Sequence, residues 1–316
     1  MSERTQKIWA PIIILVAILI LWEIAVNIFQ IQQFLLPKPS AIVSNLIRVI
    51  AIDLDAPALE ESEIKTLLRA DRFITRIPVT TPTELLQPVF EATMFQFSTA
   101  NSIVLVTQGD NLIPILQASW FTLKEALGGL AIGSVSGVLM ALMTARWTAT
   151  REAFLPFAIA ANSMPIIAFA PIMNNWFGID NPFSKMAIVS IMIFFPMMIN
   201  TVRGLTSVDA RSLELMRSYA AGDFEILRKV RIPNALPYLF SGLKVAAALS
   251  MIGAIVGEYF GGPRIALGVF ITQEAALFRF ASAWAAIIIA CLMGITLYLI
   301  ILLLERLAMP WHVSFR

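Results

Sequence analysis

Six apolar runs, each about 20 residues or longer, divide this chain of 316 residues, and a helix of that length can cross ~30 Å of hydrocarbon. The runs cover approximately residues 8–29, 120–145, 154–176, 183–202, 236–261 and 281–304. Only 14% of the residues are charged, whereas a soluble domain carries about a quarter. Because backbone groups in lipid must be hydrogen-bonded within the protein, the sequence predicts an all-α, polytopic membrane protein with about six transmembrane helices.

Basic residues indicate which connections face the cytoplasm, because Lys and Arg accumulate in short cytoplasmic loops. The opposite short loops hold only Lys185, Arg264 and Arg279. This asymmetry predicts a multi-pass protein of the cell inner membrane with both termini cytoplasmic, and the net charge of +2 does not argue for nucleic acid. The basic residues assigned to the cytoplasm are Arg4, Lys7, Arg146, Arg151, Arg203, Arg211, Arg217, Arg228, Lys229, Arg231, Lys244, Arg306 and Arg316.

The segment 53–116, between the first two spans, is rich in acidic residues. Its part 87–108 is apolar enough to raise the question of another span, but Glu91 and Asn101 interrupt it, and an added crossing would invert every later loop. We predict an extracytoplasmic insertion in which 102–107 is strand-like. It is either a tolerated insertion or a docking surface for a substrate-delivering protein. The chain then comprises a first helix with an amphipathic segment (1–52), the insertion (53–116) and a core transmembrane domain (117–316).

Pro165 and Pro171, in the third predicted span, break its hydrogen-bond ladder. Irregular backbone at membrane depth is tolerated where it is packed in protein or faces water. This span therefore either lines a cavity or carries a purely structural kink. The predicted pathway-lining residues are Asn162, Ser163, Pro165, Asn174 and Glu258.

Glycines recur at a spacing of four in the second and fifth spans, where they form flat stripes that let another helix backbone approach closely. We predict that these two spans are in intimate contact. The helix-packing residues are Gly129, Gly133, Gly137, Gly253, Gly257 and Gly261.

A charged stretch separates the fourth and fifth spans. Asp209 and Asp223 are good helix N-caps, and Gly222 suits the residue after a helix end. We predict two short helices, over about 210–221 and 224–230, with Pro233 ending the second. This loop, 203–235, must lie in water and has a partner to contact.

The loop resembles the EAA loop of binding-protein-dependent ABC importer permeases. Glu214, Leu215 and Met216 fall on Glu-Ala-Ala, Ala220 falls on the Gly of that pattern, and Ile232-Pro233 fall on its end. The stretches ALPYLFSGLK and GEYFGG are similar to the nitrate, sulfonate and taurine branch. ELMRSYAA and MPWH are similar to the riboflavin and thiamine-precursor permeases of that branch.

The resemblance implies a permease subunit in the type I ABC importer arrangement, working by ATP-driven alternating access. It implies two copies of this chain as a homodimer in membrane lipid, two ABC ATPase subunits that hold ATP-Mg, and an extracytoplasmic solute-binding protein. Because Ala220 replaces the family's Gly, either Ala220 or Gly222 makes the turn. The residues that would contact the ATPase are Glu214, Arg217, Tyr219, Ala220, Ala221, Gly222 and Asp223.

The sequence contains no phosphate-binding loop or hydrolase motif, and it has one cysteine, Cys291, and one histidine, His312. We therefore expect no enzyme activity, no metal site and no cofactor bound by this chain. The resemblance favours riboflavin or a thiamine pyrimidine precursor as substrate, with nitrate, sulfonate or taurine as the alternative. A proton-coupled secondary transporter is the alternative of another class, with Glu23 and Glu258 as its intramembrane carboxylates.

Overall fold

The computed structural model describes residues 3–32, 36–53, 74–78, 93–98, 102–107, 112–146 and 148–310. The chain forms two compact units, Met1–Ala118 with Phe270–Ile288, and Ser119–Val269 with Ile289–Arg316. The helices are α1 (Glu3–Ile28), α2 (Pro39–Ile50), α3 (Leu112–Arg146), α4 (Thr148–Asn162), α5 (Ala170–Phe177), α6 (Pro182–Thr206), α7 (Ala210–Ser218), α8 (Asp223–Ile226), α9 (Ile232–Tyr259), α10 (Leu267–Ala276) and α11 (Phe280–Ala308). The strands are β1 (Ala51–Asp53), β2 (Ile74–Pro78), β3 (Thr93–Ser98) and β4 (Ser102–Thr107).

The prediction of an all-α polytopic membrane protein is confirmed for the membrane-spanning part, and the strands belong to a small sheet between α2 and α3. Within the described ranges, four helical stretches are long and apolar enough to cross a membrane. A bent pair, Pro156–Asn162 with Ile166–Phe177, makes a fifth if it counts as one span, and α1 contributes the shorter apolar stretch Ile13–Ile28. The four stretches are Ile115–Thr144, Pro182–Thr206, Asp223–Tyr259 and Ser282–Ala308.

The third predicted span is broken at Pro165, as expected, whereas Pro156 lies within its first helix without ending it. The helix ends at Asn162, and the two parts of the span are bent by 75°. Pro165 offers no backbone N–H and precedes a 3-10 turn, Ile166–Phe169. Pro171 does not break the chain again, because it stands in the first turn of α5, where a missing N–H leaves no bond unmade.

In the first unit, Glu23 of α1 holds the start of α2. Its carboxylate accepts hydrogen bonds from the Ser40 backbone N–H (3.1 Å) and the Ser40 hydroxyl (2.7 Å). Carboxylates stabilise helix N-termini because the free N–H groups there carry partial positive charge. This gives Glu23 a structural role in joining two helices.

A small sheet follows α2 in the first unit, in the strand order β1-β2-β4-β3. β1 and β2 are parallel, whereas β4 pairs antiparallel with both β2 and β3. The prediction that 102–107 is strand-like is confirmed, and the strands β3 and β4 exclude a helical span over 87–108. Most of the predicted insertion lies outside the described residues.

In the second unit, the first glycine stripe faces α6. A Cβ atom added at Gly133 would lie 2.6 Å from the carbonyl oxygen of Ser190, and one at Gly137 would lie 2.7 Å from that of Phe194. A Cβ atom added at Gly129 would lie 2.4 Å from the Val189 side chain of α6. Backbone contact at this distance admits no side chain, so the stripe sets the separation of α3 and α6.

The second glycine stripe also faces α6, so the stripes pack against α6 and not against each other, although α3 and α9 do meet where Thr122 bonds to Glu258. A Cβ atom at Gly253 would lie 3.1 Å from Val189, and one at Gly257 would lie 3.1 Å from Lys185. Gly261 lies beyond the end of α9, with φ of +139°. A glycine period indicates that a neighbour approaches closely, but it does not identify the neighbour. α6 is the common partner.

Candidate functional site

The connecting segment, residues 207–231, joins α6 to α9 and contains α7, α8 and a π-helical turn, Leu227–Arg231. α7 has no buried residue. Ala221 is half-buried, and the other six residues predicted to contact an ATPase are exposed, namely Glu214, Arg217, Tyr219, Ala220, Gly222 and Asp223. The structure therefore places the whole predicted set on one accessible stretch.

Three large apolar side chains are exposed on this otherwise charged segment. Leu215 is 56% exposed, Tyr219 74% and Phe224 71%. Exposed aromatic groups in a polar surrounding are typical of surfaces that bind another protein. The segment thus has the composition of a docking surface as well as the exposure.

The turn after α7 is made by Ala220, which adopts a left-handed φ of +54°. The Ala220 N–H donates to the Arg217 carbonyl (2.9 Å) and the Ala221 N–H to the Met216 carbonyl (3.1 Å), the bond pattern of a Schellman helix end. Gly222 has an ordinary φ of −71°. Of the two alternatives, Ala220 makes the turn and Gly222 does not.

The helix boundaries of this segment differ from those predicted. Asp209 occupies the N-cap position of α7, but its side chain makes no capping bond, and the N-cap of α8 is Gly222 rather than Asp223. Pro233 does not end a helix, because helical structure runs continuously over Asp223–Tyr259. The π turn just before α9 is wider than an α turn, and this relieves the usual clash between a proline ring and the preceding carbonyls.

The connecting segment is firmly attached at its α9 end. Asn234, in the first turn of α9, donates hydrogen bonds to the Gly204 carbonyl (3.0 Å) and the Ser207 hydroxyl (2.9 Å). A Cβ atom at Gly204 would lie 2.8 Å from Ala235, so the two backbones are in contact there. A force on the segment is therefore passed to α6 and α9 together.

The predicted pathway-lining residues separate into two groups. Asn162, Ser163 and Pro165 are exposed at the break of the third span. Asn174 is buried, with its Nδ2 atom donating to the Gly261 carbonyl (3.1 Å), while Oδ1 has no partner in the part of the chain that the structure describes. Glu258 is fully buried. That these five residues line a pathway stays a prediction.

Glu258 accepts hydrogen bonds on both carboxyl oxygens. The Thr122 hydroxyl donates to Oε1 (2.7 Å), and the Gly268 backbone N–H donates to Oε2 (2.7 Å). The Thr122 oxygen in turn accepts from the Leu267 N–H (3.1 Å). The carboxylate thus ties α9 to α3 and to the start of α10.

Sequence reasoning missed two further buried charged residues beside Glu258. Glu125 of α3 and Lys185 of α6 both have zero exposed surface. Lys185 donates to the Ile179 carbonyl and interacts electrostatically with both carboxyl groups. Lys185 lies within α6 and not in the loop where its position near the start of an apolar run suggests it, and charged residues of opposite sign within apolar helices are the signal of internal pairing.

A cleft of about 240 Å³ opens between α3 and α6. Phe194 and Phe195 form an edge-to-face pair there, with ring centroids 5.0 Å apart. Ser136 and Ser190 also line it, and each hydroxyl donates to a carbonyl of its own helix, which leaves the lone pairs of its oxygen to accept a hydrogen bond. Such a mixture of aromatic surface and hydroxyl groups suits a flat, polar molecule.

Within the described ranges, no group of three or more His, Cys, Asp or Glu side chains could hold a metal ion. His312 lies outside the described residues, and Cys291 is a free cysteine on α11. The prediction that this chain binds no metal and no cofactor stays a prediction.

Known proteins resemble this chain. Residues 133–310 match the family described as "Binding-protein-dependent transport system inner membrane component". The riboflavin transport system permease protein RibX of Chloroflexus aurantiacus is 33% identical over 193 residues, which cover 61% of this chain and 71% of that protein. The formylaminopyrimidine transport permease protein ThiX of Halalkalibacterium halodurans is 34% identical over 184 residues, covering 58% and 73%. A solved structure of an amino acid ABC transporter with histidines has a similar fold, with a TM-score of 0.51 at 17% identity, covering 62% of this chain and 94% of that chain.

Proposed function

The chain belongs to the family of binding-protein-dependent transport system inner membrane components, so it is a multi-pass permease subunit of an ABC importer and not an enzyme. We propose that it imports riboflavin or a thiamine pyrimidine precursor. Two relatives named for such substrates, each about one third identical, support this choice. Two copies of the chain would enclose one pathway, and a solute-binding protein would deliver the substrate.

The exposed connecting segment carries the proposal for energy coupling. In each copy of the chain, Leu215, Tyr219 and Phe224 offer apolar contacts to a cleft in one ATPase subunit. The two ATPase subunits bind ATP-Mg. When the two ATPase subunits close, they would move the connecting segment. The hydrogen bonds of Asn234 with Gly204 and Ser207 would then pass this movement to α6 and α9 together. The segment and both chain termini would then face the cytoplasm, and the pathway would open alternately to the two sides.

The cleft between α3 and α6 is our candidate for contact with the substrate during transport. Flavin and pyrimidine rings are flat and carry several hydrogen-bonding groups. Phe194 offers an aromatic surface against which such a ring can stack, and the hydroxyls of Ser136 and Ser190 can bond its edge. The exposed residues Asn162 and Ser163 would form a second polar region of the pathway.

The test is uptake into liposomes that contain the purified chain with its ATPase, supplied with the binding protein. We expect uptake of riboflavin or formylaminopyrimidine only when ATP-Mg is on the ATPase side. Uptake of nitrate, a sulfonate or taurine in their place would overturn the substrate assignment. Uptake that follows an imposed proton gradient without ATP would overturn the energy source and favour a secondary transporter.

A variant test separates coupling from substrate contact. Phe194→Ala should lower uptake more than it lowers the basal ATPase rate of the complex, because it removes the stacking surface of the cleft in addition to some packing against a neighbouring apolar cluster. Ile199→Ala is the matched variant, because Ile199 packs against the same apolar cluster as Phe194 but does not line the cleft. Equal effects of both variants on ATPase activity and on uptake would assign Phe194 to packing and not to the substrate.

A further inference from the structure

A cluster of buried charged groups, Glu125, Lys185 and Glu258 with Thr122, lies where α3, α6 and α9 meet the start of α10. All four side chains have zero exposed surface. Glu258 accepts two hydrogen bonds, from Thr122 and Gly268. Both carboxyl oxygens of Glu125, in contrast, have no donor among the described residues.

An ionised Glu125 would be costly in this position. Removing a carboxylate from water without hydrogen-bond donors carries a large free-energy penalty. The neighbouring carboxyl group of Glu258 is within hydrogen-bonding reach and would repel a second negative charge. Two facing carboxyl groups avoid both penalties when one of them is protonated and donates to the other.

The charge balance points the same way. Two carboxylates and the single ammonium group of Lys185 would leave one negative charge uncompensated in the interior. One added proton makes the cluster neutral. The proton belongs on Glu125, because both oxygens of Glu258 already accept bonds from fixed donors and stabilise its ionised form.

We propose that Glu125 is protonated at neutral pH and donates its O–H to the Glu258 carboxylate, so that this cluster is a binding site for one proton. The bound proton completes the bonding that joins α3 to α9 and to the Leu267–Gly268 backbone. The other ionisable groups that interact with the cluster are Lys124 of α3 and Asp180 in the loop before α6. Neither can replace the proton, since the Lys124 side chain is exposed to solvent and Asp180 adds negative charge.

The site lies far from the connecting segment. Lys185 is in the first turn of α6, whereas the connecting segment begins after its last residue, Thr206, about 32 Å away along the helix axis. A change of protonation would therefore act at the opposite end of α6 from the ATPase contact. The proposal does not depend on the identity of the transported substrate.

Infrared spectroscopy of the purified full-length chain in lipid nanodiscs tests the proposal directly. A protonated carboxyl group absorbs apart from a carboxylate, so the wild type should show this band at neutral pH. Glu125→Gln, which mimics the protonated form, should lose the band and keep the fold. Glu305→Gln is the matched control, because Glu305 is also buried but forms an ion pair with Lys244 at 2.9 Å.

A second measurement uses the wild type alone, so it gives a result even if Glu125→Gln does not fold. The folded wild type would hold a proton that the unfolded chain releases, so its melting temperature should fall as the pH rises above neutral. The band itself should vanish when the wild type is unfolded at constant pH. Absence of the band in the folded wild type, or its persistence in Glu125→Gln, would overturn the proposal.

Discussion

The Nδ2 atom of Asn234 lies 3.0 Å from the carbonyl oxygen of Gly204, which fastens the first turn of α9 to the last turn of α6. A mobile loop between two spans could absorb a push without passing it on. This bond, together with the second one to Ser207, removes that freedom at the point where the connecting segment enters the membrane-spanning helices.

Asn234→Ala should therefore weaken coupling more than it weakens the fold. Loss of the two bonds should lower the free energy of unfolding by about 1–2 kcal/mol, the usual range for such contacts. ATP hydrolysis in the assembled complex should continue while uptake per ATP falls. Asn200→Ala is the control, because Asn200 donates only within its own helix, to the Pro196 carbonyl. Equal losses of uptake in both variants would contradict this role.

Replacing Ala220 by glycine should stabilise the protein. A left-handed φ costs a residue with a Cβ atom about 1–2 kcal/mol, and glycine avoids this cost but loses more entropy on folding. The expected net gain is about 1 kcal/mol, measured as a higher melting temperature. Gly222→Ala should change it little, because a Cβ there meets no atom within 4 Å. A larger loss from Gly222→Ala than from any change at Ala220 would contradict the assignment of the turn.

The two glycine stripes should differ in their tolerance of a methyl group. Gly133→Ala places a Cβ 2.6 Å from a backbone oxygen of α6, which must move, and should cost about 1–3 kcal/mol. Gly253→Ala meets side-chain atoms at 3.1 Å and 3.3 Å and a backbone atom only at 3.4 Å, and should cost less. Thermal unfolding in detergent measures the difference. Equal costs would indicate that α3 and α6 are not in backbone contact.

Tyr219→Ala should weaken ATPase binding without changing stability. The side chain is 74% exposed, so its removal disrupts little within the chain. A central aromatic contact at an interface contributes about 2 kcal/mol or more, which corresponds to about a thirtyfold loss of affinity. Co-purification and titration with the ATPase measure this. Tyr259→Ala, at the far end of α9 and 62% exposed, is the control and should bind normally.

The sequence allowed the membrane class, the break at Pro165 and the strand over 102–107 to be predicted, because each depends on local chemistry: apolar length, a missing N–H and a short run rich in β-branched residues. What it did not reveal depends on neighbours distant in the chain. The helical path through Pro233 required the π turn before it. The burial of Lys185 and the role of Glu125 appeared only when three helices were brought together.

The shared use of α6 by both glycine stripes has a mechanical consequence. Because α3 and α9 each touch α6 through positions with no side chain to rearrange, none of the three helices can slide or roll alone without breaking close-packed contact. A displacement of α6 at the end next to the connecting segment must then tilt α3, α6 and α9 together as one rigid body. Movement at the ATPase contact would then reach the charged cluster through this rigid-body tilt, with no series of side-chain rearrangements between them.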